Sequence, residues 1–431
     1  MSKFYSTPVI GVDVAADFSV AAILAPNGEI YKKPFRFNHD ADGFNYFLET
    51  IKKVEEEFST KIALFMEATG IYHLTLFYFL NNNNVNTFVI NPLVTNCNKN
   101  KNIRKVKNDN SDAISIAKTG KFENIKTSNA LNTNIYYLRS LCREYFELID
   151  LRANVKKKLS SDIRLFFPGY QNVFSNITGN TSISILQKYS SPSNILNASK
   201  EEIIQHIKAT SRKGSEWSAK IYSKLLEVSS SAQSIAIPTF GYTSKLSRLL
   251  NLYETYSLQI EELLFQIEEF LNSKNVTNEI RDCVHLISSI PGVGFITAVT
   301  LISEIGDINK FNKAKYLVAF FGIDPSVNQS GKFNSTKNKM SKRGTRIGRR
   351  ALYAVALASV RSTRNGNAIN PVLQNYYHQN LKGKSKKVGL VAIMNKLLKY
   401  IFSVLKNKQP YEIKDPKIHE RMYLKNTCKA T

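Results

Sequence analysis

The first ninety residues restrict most tightly what this chain can fold into. Three short apolar stretches, PVIGVDV, FSVAAIL and EIYKKPFRF, fill residues 8–37 and are separated only by Ala15-Ala16-Asp17 and by Pro26-Asn27-Gly28. Runs of this length bounded by turn residues read as strands, and connectors this short leave only a β-meander. Residues 40–58 then place Phe44, Phe47, Leu48, Ile51 and Val54 at helical spacing, followed by the strand KIALFME, a helix from Tyr72 and the strand NTFVI. Three strands followed by alternating helices and strands predict a mixed α/β sheet.

The middle of the chain has a different period. Ile135, Leu138, Leu141, Tyr145, Leu148, Val155, Leu159, Ile163 and Phe166 recur at three and four residues, which makes a long amphipathic helix or coiled-coil arm. A second run, Leu246, Leu249, Leu250, Tyr253, Leu263, Leu264, Ile267, Phe270 and Leu271, is able to return antiparallel to it. Between them, residues 168–240 are rich in Ser and Asn and broken by Pro168-Gly169 and Pro192, so they read either as a tip or small insert or as an ordinary helical subdomain.

At 431 residues the chain exceeds one core of usual size, so two domains and a connecting element are expected. The net charge of +25 exceeds what solubility needs and points to a polyanion, nucleic acid first. That charge is concentrated: residues 331–431 hold 23 Lys and Arg against Glu412, Asp415 and Glu420, a local +20. No apolar run approaches the roughly 20 residues of a spanning helix, and Asp13 and Asp17 interrupt the N-terminal apolar stretch, so a cytoplasmic, nucleoid-associated protein is expected. Cys97, Cys142, Cys283 and Cys428 are scattered without metal-ligand spacing and read as reduced structural residues.

Four carboxylates stand out. Asp13 and Glu67 each lie at the end of an otherwise apolar strand, where a carboxylate is costly unless it faces solvent, is paired or meets a cation. In KNDNSDAISIA, Asp109 and Asp112 share one helix face; helix capping and the dipole explain them singly, and a shared cation explains them together with the other two. Four hard oxygen ligands suit one or two Mg²⁺ at a phosphate. Lys101, Arg104, Lys105 and Lys107, just upstream, would guide a nucleic-acid backbone there or form a solvated loop.

Farther on, HLISSIPGVGFITAVTLISEIGD resembles a helix-hairpin-helix, in which Gly292 and Gly294 allow a phosphate close to the next helix's amides; a plain turn between packed helices is the alternative. Lys342, Arg343, Arg346, Arg349 and Arg350 then open an Ala-rich helix that Arg361 and Arg364 close, a cluster suited to clamping phosphate. Ser330, between Gln329 and Gly331 in the preceding loop, has a hydroxyl able to attack a phosphodiester, although such a loop serine is ordinarily a turn residue.

The ordered series GVDVA, MEATG, KNDNSDA, IPGVG, LVAFFGIDP, QSG and SKRG resembles the insertion sequence 110 family of transposases nearly end to end. The resemblance implies a RuvC-like domain of RNase H fold over residues 1–125, a coiled-coil or helical region with the Ser/Asn-rich insert over 126–278, and a basic, mainly α-helical transposase domain over 279–431. It places the family's metal-binding Asp-Glu-Asp-Asp tetrad on Asp13, Glu67, Asp109 and Asp112, and its nucleophilic serine on Ser330. It further implies a bacterial or archaeal recombinase using Mg²⁺, acting on donor and target DNA, guided by a structured bridge RNA and working as a homo-oligomer, dimer or tetramer. Two other readings fit the residues: a metal-dependent, junction resolvase-like nuclease in which water attacks, and a non-catalytic nucleic-acid-binding protein. The resemblance assigns no role to the insert or to the basic tail after Leu381.

Overall fold

The alternation of the N-terminal stretches is realised as strands β1 (Val9–Val14), β2 (Phe18–Leu24) and β3 (Ile30–Asn38), followed by α1 (Ala41–Glu57), β4 (Ala63–Glu67), α2 (His73–Asn82), β5 (Asn86–Ile90) and α3 (Asp109–Phe122). These are drawn from a computed structural model that describes residues 2–68, 70–90, 95, 108–123, 133–237, 241–325, 329–330, 333–334 and 339–413. The chain divides into two compact units, 1–132 and 133–431. In the first, the strand order is β3-β2-β1-β4-β5. The meander is antiparallel, while β4 runs parallel to β1 and β5 parallel to β4.

The period of two separates the sheet's faces. Ile10, Val12, Val14, Leu64 and Met66 pack on Phe44, Phe47 and Ile51 of α1 and on Leu76, Phe77 and Leu80 of α2. Val9, Ala63, Phe65 and Phe88 point the other way, onto Ile116 and Ala117 of α3. Helix α1 starts where Asp40 caps it, its side chain accepting from the Gly43 N–H at 2.7 Å. The expected mixed α/β sheet is therefore present, with its elements within a residue or two of their sequence boundaries.

The second unit is helical. Its long helices α4 (Thr133–Phe166) and α9 (Tyr242–Asn272) flank α5 (Asn180–Lys188), α6 (Pro192–Asn197), α7 (Lys200–Thr210) and α8 (Ser215–Ile235). Tyr137 meets Phe270 with ring centroids 4.6 Å apart, and Phe166 meets Tyr242 at 4.1 Å, so the start of each long helix lies beside the end of the other. The two are an antiparallel pair. The described part of this segment, residues 168–237, is a helical subdomain rather than a structureless tip: Tyr170, Ile185, Ile203, Ile207 and Leu225 bury against Leu159, Ile163 and Leu246 of the long pair. Many of its Ser and Asn residues sit on the outside or at the caps, where Ser191 and Ser199 accept backbone N–H groups, while Ser218 and Ser229 are buried and donate to the carbonyls of Gly214 and Leu225.

Beyond them lie α10 (Asn278–Ser288), α11 (Phe295–Ile305), α12 (Ala314–Phe320), the short strands β6 (Gln329–Ser330) and β7 (Phe333–Asn334), α13 (Arg346–Ser359), α14 (Pro371–Asn380) and α15 (Lys386–Asn407). By length and composition α15 could cross a membrane, which corrects the expectation that no apolar run here is long enough. Its apolar length serves a different end. Leu390, Ile393, Leu397, Leu398 and Ile401 are buried at the centre of this unit's core, which also takes in Leu138 and Cys142 of α4. The basic tail beyond residue 413 lies outside the described residues.

Candidate carboxylate site and basic loop

Strands β1 and β4 pair from Val9 with Ala63 to Val12 with Met66, so Asp13 and Glu67 follow at the same level, at the carboxyl ends of adjacent parallel strands. Both belong to the odd-numbered set that faces α3. Helix α3 runs opposite to β1. The Lys121 ammonium near its end donates to Tyr5 O and Thr7 O, each at 2.8 Å, before β1 begins, while Ala113 and Ala117 lie against Gly11. The first turn of α3, with Asp109 and Asp112, is thereby brought to the edge where Asp13 and Glu67 end. Asn108 starts that turn, its side chain accepting from the Ser111 N–H at 2.7 Å.

Small residues make this seating possible: a Cβ on Gly11 would overlap the backbone of Ala113 and Ala117. Asp112 is buried at 8% exposure, Asp13 and Glu67 are half-buried, and Asp109 is exposed. Thr95 donates its hydroxyl hydrogen to Glu67 Oε2 at 2.8 Å. The four share an edge without forming a ready cage, since among the described residues no three Asp, Glu, His or Cys side chains gather closely enough to hold a metal ion. Like charges close up only when a cation offsets their repulsion. The donors are hard oxygens in a partly buried setting, which suits a hard divalent cation in chemistry. Lys101, Arg104, Lys105 and Lys107 lie outside the described residues.

In the second unit, the IPGVG turn joins α10 to α11 as expected for a helix-hairpin-helix, but its two glycines differ. Gly292 adopts φ 99° and a Cβ there would come 2.6 Å from Ser359 Oγ, so its freedom serves close packing against α13. Gly294 begins α11, contributes no capping side chain, and faces open space. A phosphate could approach the α11 amides at Gly294.

The LVAFFGIDP and SKRG segments are built against each other. Gly322 lies at φ 64°, where a Cβ would come 2.6 Å from the amides of Arg343 and Gly344, and Lys342 donates its N–H to Gly322 O at 3.0 Å. Pro325 bridges Met340, and farther out β6 pairs with β7, Ser330 opposite Phe333. Ser330 thus lies on β6, paired beyond the Pro325–Met340 bridge.

The arginines are not equivalent. Arg349 donates to Gly344 O at 2.6 Å and Phe321 O at 3.2 Å, latching the base, and desolvation holds its pKa below the usual arginine value. Arg350 donates to Asp150 at 2.8 Å and to Phe146 O at 3.1 Å, tying α13 to α4. Both belong to the expected phosphate clamp; in this structure one guanidinium nitrogen of each is engaged in the fold. Lys342, Arg343, Arg346, Arg361 and Arg364 are exposed and remain available to phosphate.

A family model described as a transposase of DEDD type matches residues 10–168, and one described as the transposase IS116/IS110/IS902 family matches residues 284–378. The transposase for insertion sequence element IS1111A of Coxiella burnetii is 29% identical over 177 residues, 41% of this chain and 47% of that protein. The pilin gene-inverting protein of Moraxella bovis is 32% identical over 168 residues, 38% of this chain and 48% of that protein. An insertion element IS110 protein of Streptomyces coelicolor is 24% identical over 260 residues, 58% of each chain. The chain thus spans about half the length of the curated relatives it matches.

Proposed function

Given that the chain belongs to the IS110 family of transposases, we propose that it is a DNA recombinase that cuts and rejoins strands through a serine-DNA ester. Residues 1–125 act as its RNase H-like, RuvC-like carboxylate domain and residues 279–431 as its basic transposase domain. The observation that carries this reading is the meeting of two adjacent parallel strand ends, bearing Asp13 and Glu67, with the first turn of α3, bearing Asp109 and Asp112.

Asp13, Glu67, Asp109 and Asp112 would hold one or two Mg²⁺, which when bound polarise the oxygens of a scissile phosphate. The exposed Lys342, Arg343 and Arg346 neutralise and orient the DNA backbone. The Ser330 hydroxyl attacks phosphorus, forming an Oγ–P ester and expelling one deoxyribose hydroxyl. Attack on that ester by a deoxyribose hydroxyl reseals a strand and returns the serine proton, so no ATP is consumed. A structured bridge RNA pairing with donor and target DNA would supply the sequence choice that backbone contacts lack, within a homo-oligomer.

The test is trapping on a suicide DNA substrate. A protein-DNA adduct should form with Mg²⁺, persist in Ser326→Ala and vanish in Ser330→Ala, Asp13→Asn and Asp112→Asn, all of which still bind DNA. An adduct that survives Ser330→Ala moves the nucleophile elsewhere. Efficient cleavage without any adduct makes the protein a water-using nuclease. Sequencing of copurifying RNA tests the guide.

A further inference from the structure

Within the helical subdomain of residues 168–240 lies a pocket of ≈ 590 Å³ that none of the chemistry above uses. It falls in the size range, roughly 300–1,000 Å³, of pockets that take a small ligand or a single nucleotide unit. One wall is α8, where Trp217, Lys220, Ile221 and Lys224 stand at i, i+3, i+4 and i+7 and so share a face. Trp217 is the only tryptophan of the chain and is half-buried, while both lysines are exposed. Among the described residues, no acidic side chain lines the pocket.

The other lining residues bring further groups of the same bias. Helix α5 begins here at Asn180 behind Gly179, which has no side chain to cap it, so the positive end of the helix opens on the pocket. Asn176, also in the lining, accepts from Lys156 of α4 at 3.2 Å, so a third ammonium lies one contact away from the pocket. Gln171, also in the lining, has its Oε1 buried without a hydrogen-bond partner. A buried amide oxygen left unpaired costs stability unless a ligand satisfies it.

An aromatic face beside two lysines, an uncapped helix start and an unpaired amide matches one ligand chemistry: an unpaired nucleotide, its base on the indole and its phosphate toward Lys220, Lys224 and the α5 amides. We propose that this subdomain is a second nucleic-acid contact, which grips a single-stranded segment through Trp217, Lys220 and Lys224. The site is separate in sequence from the carboxylates and Ser330, and its role stands or falls independently of the strand-transfer chemistry. RNA and DNA share the chemistry, so both are probed.

The single tryptophan makes the test local. The full chain is titrated with a fluorescein-labelled unpaired decamer, as RNA and as DNA, reading indole emission for this pocket and fluorescein anisotropy for binding anywhere on the chain. The expected result is saturable quenching of Trp217 by at least one decamer. In Lys220→Ala/Lys224→Ala the quenching midpoint rises by about tenfold, and Lys220→Arg/Lys224→Arg restores it. Tighter quenching by RNA assigns the site to a guide, and by DNA to a displaced strand. Binding by anisotropy with unchanged Trp217 emission overturns the proposal while leaving the recombinase reading intact. Quenching indifferent to the alanine pair in a chain of unchanged helical content overturns it as well.

Discussion

Gly11→Ala is the substitution that most directly tests how the carboxylate edge is assembled. An alanine Cβ at this position would lie 2.8 Å from Ala117 Cα and closer still to the Ala113 carbonyl oxygen and the Ala117 amide nitrogen. Carbon atoms rest at about 3.5–4.0 Å, so α3 has to retreat from the sheet by about 1 Å. The atoms in the way are backbone, and no rotamer change relieves them. Overpacking costs typically ~1–3 kcal/mol, and a clash with helix backbone belongs at the upper end, about 3 kcal/mol. If the α3 amides exchange through local opening, 3 kcal/mol at 1.4 kcal/mol per decade gives roughly 100-fold faster exchange. Hydrogen-deuterium exchange of the peptide covering Asp109–Phe122 measures this, with Gly214→Ala as control because a Cβ there meets nothing within 4 Å. Asp109 and Asp112 move with the helix, so adduct formation should fall even though no carboxylate has been changed. Unchanged exchange together with full activity would show that α3 is not seated on Gly11, and the geometry of the site would have to be abandoned.

Arg349→Ala strips the donors from Gly344 O and Phe321 O and should destabilise the second unit by about 1–3 kcal/mol in thermal melts. Arg343→Ala and Arg346→Ala should instead leave the melt unchanged and each lower the slope of log affinity against log salt by roughly 1; the reverse pattern would mean that the latch and the clamp are misassigned. Arg143 holds Glu304, which is 4% exposed, through contacts of 2.9 and 3.1 Å. Arg143→Met should cost about 3 kcal/mol, largely recovered in Arg143→Met/Glu304→Gln, because an uncompensated buried charge carries most of the penalty. Burial pushes the Cys142 thiol up to about 11, so at pH 8 the folded chain should resist maleimide at this residue and react only after denaturation.

Much of the carboxylate site was legible because its cues are local. A period of two, short turns and a capping Asn108 locate the strand ends and the first turn of α3, and these carry Asp13, Glu67, Asp109 and Asp112. The antiparallel helix pair was legible for the same reason, since an apolar stripe at helical spacing must find a partner. The Ser/Asn content of residues 168–240 was a poorer guide, because such residues serve caps, outer faces and buried helix positions such as Ser218 and Ser229 alike, and it drew attention away from the i, i+4 spacing of the buried Ile203 with Ile207 and Ile221 with Leu225.

What only the tertiary structure decided is which groups are already engaged. Arg346 and Arg350 are one helical turn apart and look alike in sequence. Arg350 is bound to Asp150, 200 residues away, while Arg346 is exposed. Gly292 and Gly294 look equally suited to a phosphate until Ser359 is found against the first. Periodicity and capping are set by neighbours along the chain and can be read from it. Pairings such as these depend on residues brought together only when the helices pack, and no local pattern encodes them.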